Sequence, residues 1–87
     1  MDSKDALHQI RQLAQLGLYR ITQHAAERMV QRGATARDVR RALVFATDCA
    51  TAQGDCWKVT GKDTDEDDLS MIVALDAQII VVTILSD

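Results

Sequence analysis

Four polar residues of one short segment have the side chains needed for acid–base chemistry and phosphate binding: His24, Glu27, Arg28 and Arg32. Histidine can gain or lose a proton near neutral pH, and a nearby carboxylate can orient its ring. Arginine suits phosphate because its planar guanidinium makes paired hydrogen bonds with two oxygens. The same residue types also suit a surface that binds an acidic partner, or one that is only solvated.

The spacing of these residues predicts a helix that begins at the cap Thr22 and ends at Gly33. His24, Arg28 and Arg32 recur at i, i+4 and i+8 and therefore share one face. The opposite face is apolar and consists of Ala25, Ala26, Met29 and Val30. Because His24 and Arg28 point away from that apolar face, we expect them to meet a substrate only where a strand or the sheet rim forms a cleft beside them.

The composition is that of one small domain built from regular structure. The chain has 87 residues, 47% of them hydrophobic, with no proline and four glycines. We assign residues 1–17 to an N-terminal helix and residues 18–87 to an α+β core. Tyr19, Phe45 and Trp57 are the only aromatic residues, so we expect an aliphatic core and little base stacking.

Charge is distributed unevenly along the chain. Residues 1–46 contain eight Lys/Arg and four Asp/Glu, whereas residues 47–87 contain two lysines and nine acids. The net charge is −3, but we expect any nucleic-acid contact to come from the basic first half. Alternatively, the two halves form a dipolar surface, or they bind each other in an oligomer such as a homodimer.

Two further observations limit the function classes. No segment approaches the roughly 20 apolar residues of a membrane span, and the charged start does not resemble a secretory leader, so we expect a cytoplasmic protein without membrane contact. Cys49 and Cys56 lack the number and spacing of a metal motif, and we predict two reduced, partly buried thiols. We predict no metal and no cofactor.

Two more helix-forming patterns flank the central one. The first helix is predicted to begin at the cap Ser3 and to end at Gly17, and residues 18–21 are predicted to form an edge strand. Thr35 and Asp38 have the spacing of a capping box, which starts the third helix. The candidate residues for binding nucleic acid or a protein partner are basic and lie on the edge strand and the third helix: Arg20, Arg37, Arg40 and Arg41.

From residue 47 the hydrophobic pattern changes to a period of two, which predicts strands. Four strands are expected, in two hairpins: 48–52, 56–61, 69–75 and 79–85. The last two are apolar on nearly every residue and should lie in the centre of an antiparallel meander of four strands, or of five with the edge strand. Helices would cover one face of the sheet, and the first helix or a second subunit would cover the other.

The segment 63–68 is strongly acidic and lies between the two hairpins. Asp63, Asp65 and Asp67 imitate the start of a calcium-binding loop, but no glutamate stands at the bidentate position. Asp68 also replaces the glycine that the calcium loop needs for its turn. We therefore predict a solvated hairpin tip that protects the sheet edge from aggregation.

The order of the elements and several motifs resemble a known bacterial family. The motifs are His24-x-x-Glu27-Arg28-x-x-x-Arg32-Gly33, the strand glycine Gly61, and the closing strand Ile80-Val81-Val82-Thr83-Ile84. Over residues 19–85 the chain is similar to the domain of unknown function 4258 family, and the first helix lies outside that match.

That family is similar in fold to the RelE and ParE toxins and to barnase-like ribonucleases, in which helices pack on one face of an antiparallel sheet. The resemblance implies a metal-independent ribonuclease, or the toxin of a toxin–antitoxin system. His24 would then be the general acid or base, and Arg28 or Arg32 would neutralise the scissile phosphate. Thr83 would add a hydrogen bond from the sheet.

RNA cleavage without a metal needs a base for the 2′-hydroxyl, an acid for the leaving oxygen and a cation beside the phosphorane. His24 is the only histidine near these arginines, so the second proton carrier would be Glu27, Tyr19 or a group of the substrate. For Thr83, a packing role as a β-branched strand residue is the simpler interpretation. The competing function is a non-catalytic dimeric binding or regulatory module of the same fold, and a third is protein–protein contact through the arginines of the third helix.

Overall fold

The computed structural model describes residues 1–85, which form three helices and five strands. The helices are α1 (Ser3–Gln15), α2 (Gln23–Arg32) and α3 (Ala36–Val44). The strands are β1 (Tyr19–Ile21), β2 (Asp48–Thr51), β3 (Cys56–Lys62), β4 (Asp68–Leu75) and β5 (Ile79–Ile84). The α+β class is therefore confirmed. The predicted domain also includes residues 86 and 87, which lie outside the described part.

Local contacts fix both ends of α2 and the start of α3 where the sequence predicts them, whereas α3 ends at Val44, two residues before the expected Ala46. The Thr22 hydroxyl accepts a hydrogen bond from a backbone N–H of the first turn of α2, and Gly33 ends that helix with a left-handed φ of 79°. Thr35 and Asp38 form the predicted capping box, each accepting from the other's backbone N–H. These three helix ends depend on contacts within four residues, which is why they can be derived from sequence.

The predicted cap of α1 is wrong by one residue. Asp2, not Ser3, caps the helix, because its carboxylate accepts a 2.8 Å hydrogen bond from the backbone N–H of Asp5. Both residue types are good caps, so composition alone did not distinguish them. The helix therefore begins one residue earlier than predicted, and its apolar stripe is unchanged.

The sheet is mixed, in the strand order β1-β5-β4-β3-β2. From β2 to β5 each strand pairs antiparallel with the next. The edge strand β1 pairs parallel with β5, with Arg20 opposite Ile80. The expectation of a wholly antiparallel sheet is therefore wrong for this strand. A parallel pair needs a long crossover connection between its two strands. Here the crossover consists of both later helices and three strands.

All three helices bury residues in one core with the inner face of the sheet. Ala6 and Ile10 of α1 are fully buried in this core, as are Leu43 of α3 and the inner strand residues. Since α1 packs against α3 and β2, it lies on the same side as the other helices. The suggestion that α1 covers the opposite face is therefore wrong.

Gly61 allows the closest contact between helix and sheet. A Cβ at this position of β3 would collide with the backbone carbonyl of Ala42 in α3. The absence of a side chain therefore lets α3 lie directly on the sheet.

The outer face of the sheet is half-buried and partly apolar. Its residues alternate with the core residues along the strands: Lys58, Thr60, Ser70, Ile72, Ala74, Ile80 and Val82. Helix α2 reaches this face only along the edge formed by β5. None of the helices within residues 1–85 is long and apolar enough to cross a membrane.

Candidate functional site

Helix α2 lies beside the last residues of β5, where β1 no longer pairs with that strand. Strand β1 pairs with β5 only as far as Val81. Beyond that point, the Thr22 hydroxyl donates to the carbonyls of Val81 and Val82 at 3.0 and 3.1 Å, and the Thr22 backbone N–H also donates to Val81. These contacts anchor the first turn of α2 to the edge of β5, so the residues after Thr22 follow that edge.

An irregularity in β5 brings its last residues toward this helix. The register between β4 and β5 shifts so that Val73 pairs with Val81 whereas Ile72 pairs with Thr83. The extra residue, Val82, makes a β-bulge, which bends the strand and re-aims neighbouring side chains. Thr83 consequently lies opposite the outer-face residue Ile72, at the rim that α2 borders.

His24 and Thr83 meet at this rim. Their Nε2 and Oγ1 atoms are 3.1 Å apart, and the tautomer of the ring decides which atom donates. The two residues are 59 positions apart in sequence. His24 is exposed and Thr83 half-buried, so the pair is accessible at the surface and is not enclosed. The expected approach of a sheet rim to the polar face of α2 is thus present.

Arg28 binds the same edge one helical turn further on. Its Nε donates to the Ile84 carbonyl at 3.3 Å, and its Nη1 donates to Oε1 of Gln31 at 3.0 Å. A carbonyl at an unpaired sheet edge otherwise depends on water for its hydrogen bond. Arg28 therefore places a positive charge beside the His24–Thr83 pair and also closes the edge of β5.

Arg32 and Glu27 are less closely associated with His24. Nη2 of Arg32 donates to the carbonyl of Asp68 at 2.9 Å, so this guanidinium lies against the start of β4. Glu27 is exposed on α2. In the described part of the chain, the side-chain contact of the His24 ring is with Thr83. The idea that Glu27 orients the ring is therefore not supported by a contact.

The four arginines predicted to bind nucleic acid or a partner lie on β1 and α3. Arg20 is exposed on β1 opposite Ile80. The other three line a shallow concavity on α3 together with Val44, Phe45 and Thr64. None of the α2 residues lines this concavity.

Sequence reasoning missed a polar cluster that joins the buried Asp38 of α3 to Thr64 of the acidic segment. One oxygen of Asp38 accepts from the backbone N–H of Thr35, and the other accepts from the Thr64 hydroxyl and backbone N–H at 2.5 and 3.0 Å. The Thr64 side-chain hydrogen bond is the main reason that the pKa of Asp38 is held well below its usual range, and the backbone hydrogen bonds add to it. The capping box identified Asp38, but nothing in the pattern indicated its second partner.

The acidic segment uses its first carboxylate to shape itself. Oδ1 of Asp63 accepts from the backbone N–H groups of Asp65 and Asp67 at 2.8 and 3.0 Å. Within residues 1–85, no group of three or more His, Cys, Asp or Glu side chains is arranged to hold a metal ion. Cys49 and Cys56 are free thiols whose strand partners are Val59 and Ala74, so the register keeps them apart.

These features define an α+β protein with a mixed five-stranded sheet and a polar contact between a helix and an open sheet edge. Comparison of the chain with family models, with curated proteins and with solved structures gave no match.

Proposed function

We propose that this protein acts on RNA as a metal-independent ribonuclease of the RelE/ParE-like kind, in which His24 transfers the proton. The contact between His24 Nε2 and Thr83 Oγ1, at 3.1 Å, carries the proposal. It joins a histidine to a hydroxyl from a distant strand at an exposed rim, where an RNA strand can reach both. A likeness to the domain of unknown function 4258 family, drawn from the motifs alone, points the same way.

The hydrogen bond to Thr83 would prepare the ring to act as a base. When Nε2–H donates to the Thr83 hydroxyl, Nδ1 holds the lone pair and can accept the proton of the RNA 2′-hydroxyl. The 2′ oxygen then bonds to phosphorus, the bond from phosphorus to the 5′ oxygen breaks, and that oxygen takes a proton from water, whose hydroxide recovers the proton held on Nδ1 of His24. The products are a 2′,3′-cyclic phosphate and a 5′-hydroxyl.

The positive charge of Arg28 would stabilise the phosphorane that forms in this step. Its guanidinium is held beside the same edge by the Ile84 carbonyl and Gln31. A cation fixed where negative charge develops lowers the barrier without reorganising in the reaction. A toxin of this kind would have an antitoxin as its protein partner.

The arginine contacts favour a second candidate, a non-catalytic binding module of the same fold. Arg28 and Arg32 both donate to backbone carbonyls, of Ile84 and Asp68. A guanidinium used in this way stabilises the sheet edge, and it has fewer donors left for phosphate. In that case RNA or a protein would bind along the rim without being cleaved.

RNA cleavage in the presence of a metal chelator separates the two functions. We expect cleavage by the wild-type chain and a loss of at least about 100-fold in His24→Ala, the usual effect of removing a proton-transfer group. His8→Ala is the matched control, because His8 is the other histidine and is exposed on α1. Thr83→Val should retain part of the activity, since it removes only the hydrogen bond to the ring.

Three results would decide against the ribonuclease. They are no cleavage by the wild-type chain, equal cleavage by wild type and His24→Ala, and an equal loss in the His8 control. RNA binding that persists without cleavage would instead support the binding module.

A further inference from the structure

Helix α3 presents a basic surface with an exposed aromatic ring, which we call the α3 patch: Arg37, Arg40, Arg41 and Phe45. Phe45 is 59% exposed, an unusual state for a phenylalanine in a chain with three aromatic residues. The Arg41 guanidinium lies over this ring, 5.3 Å from its centre. Arginine and aromatic residues are enriched at the centres of protein interfaces.

The acidic segment borders this patch directly, and we call residues 63–68 the acidic loop. It contains five carboxylates. Arg41 forms a 3.1 Å ion pair with Glu66, and Thr64 is bound to Asp38 at the start of α3. These two contacts hold the acidic loop against α3, so a positive and a negative region lie side by side.

A surface that carries adjacent positive and negative regions can complement itself. A two-fold axis between the regions sets the positive part of one copy against the negative part of the other, twice. We infer that the α3 patch and the acidic loop form the interface of a homodimer, with Phe45 buried near the axis. The partner is thus a second copy of this chain.

The same charges disfavour the other partners that a basic patch suggests. An RNA strand lying across the α3 patch would approach the carboxylates of the acidic loop, which repel phosphate. An acidic peptide would meet the same repulsion along one side. A second copy instead supplies both signs of charge in the required arrangement. This inference does not depend on the ribonuclease proposal, because it uses neither His24 nor Arg28 nor Thr83.

A standard interface would cover only a limited part of the surface of this chain, and its strength would depend on the salt concentration. A standard interface buries about 800 Å² on each partner, and the described chain exposes 5151 Å² in all. Much of the attraction would come from exposed charges, which salt screens at distances of about 10 Å and beyond at 0.1 M. We therefore expect a reversible dimer that dissociates as salt is raised.

Charge reversal with a mixed-variant rescue tests this interface. Arg37→Glu/Arg40→Glu reverses the basic side, and Asp65→Lys/Asp67→Lys reverses the acidic side. Asp65 and Asp67 stabilise the loop through their backbone N–H groups, which donate to Asp63. Replacing their side chains by lysine therefore leaves these hydrogen bonds in place. Each variant alone should dimerise at least tenfold more weakly than wild type. A one-to-one mixture should regain dimers, because both contacts are then attractive.

Sedimentation equilibrium measures the result as a mass that rises from 9.6 kDa toward twice that value. Circular dichroism checks that each variant is folded. Ile80→Lys is the matched control, since it introduces a charge on the outer face of the sheet and leaves α3 unchanged. Phe45→Ala should also weaken the dimer.

The inference is overturned if wild type stays monomeric at all concentrations and salts. It is overturned equally if Ile80→Lys abolishes the dimer while the charge reversals do not, or if the mixture fails to restore it. A labelled single-stranded RNA provides the last outcome: binding that Arg37→Glu/Arg40→Glu abolishes in monomeric protein would assign the α3 patch to RNA.

Discussion

Helices α2 and α3 both lie against the sheet, but they contact it in opposite ways. Helix α2 meets an edge through polar side chains, with His24, Arg28 and Arg32 bonded to groups of β4 and β5. Helix α3 meets a face through its backbone, with Ala42 directly on Gly61. A packed backbone contact tolerates little change, whereas an exposed polar contact at an edge can be lost at small cost.

This difference indicates which polar contacts contribute mainly to stability and which are available for function. The carboxylate of Asp38 in α3 is buried and fully paired, since the residue is 7% exposed and both of its oxygens accept hydrogen bonds. The polar groups of α2 are mostly exposed and can exchange their partners for a ligand. We therefore expect substitutions at the α3 contact to change mainly the free energy of unfolding, and those at the α2 rim to change mainly function.

The largest effect should come from Gly61→Ala. The added Cβ would collide with the Ala42 backbone, which cannot move without shifting α3. We expect a loss of about 3 kcal/mol or more, at or above the usual cost of overpacking. Urea unfolding followed by circular dichroism measures it. Ala74→Val adds bulk to the outer face and should stay within about 0.5 kcal/mol of wild type; a similar value for Gly61→Ala would contradict the predicted rigidity.

The next largest effect should come from Asp38→Ala. This change removes half of the capping box and leaves the Thr64 donors without their acceptor. We expect a loss of about 2–3 kcal/mol in the free energy of unfolding. Thr64→Val should cost less, and Thr64→Ser should be close to wild type because the hydroxyl remains. If valine and serine at position 64 have equal stability, the buried hydrogen bond does not contribute.

The same carboxylate should make stability depend on acid pH. Hydrogen bonds, first that from the Thr64 hydroxyl, hold the pKa of folded Asp38 below the value of about 3.9 usual for an unfolded chain. Its contribution is therefore complete above about pH 5 and declines as pH falls through the unfolded value toward the folded pKa. The stability difference between wild type and Asp38→Asn should shrink between pH 5 and about pH 3. A constant difference over that range would mean that ionisation of Asp38 does not contribute.

The sequence predicts what depends on near neighbours along the chain. Thr22 and Gly33 delimit α2, and Thr35 starts α3, through contacts within one turn, so their roles follow from spacing. The alternation in β3 likewise predicts that Val59 is buried beside the exposed Lys58. These features need no knowledge of the tertiary structure.

What escapes prediction depends on distant pairs. The direction of β1 depends on its pairing with Ile79–Val81, about 60 positions later. The bulge that re-aims Thr83 depends on the register of β4 against β5, and the second partner of Asp38 is 26 positions away. The helical periodicity showed that His24 points away from the core, but only the tertiary structure shows that the rim of β5 lies there.

The smallest effect on stability should come from separating His24 and Thr83, and a double-mutant cycle measures it. His24→Ala, Thr83→Val and the double variant together isolate the energy of this one contact. We expect a coupling of about 0.5 kcal/mol or less, because the histidine is exposed and water replaces either partner. The cycle of Asp38→Ala with Thr64→Val is the reference and should give at least twice that value. A coupling at the α2 rim as large as the reference would make His24–Thr83 a structural contact, and the division between the two helices would fail.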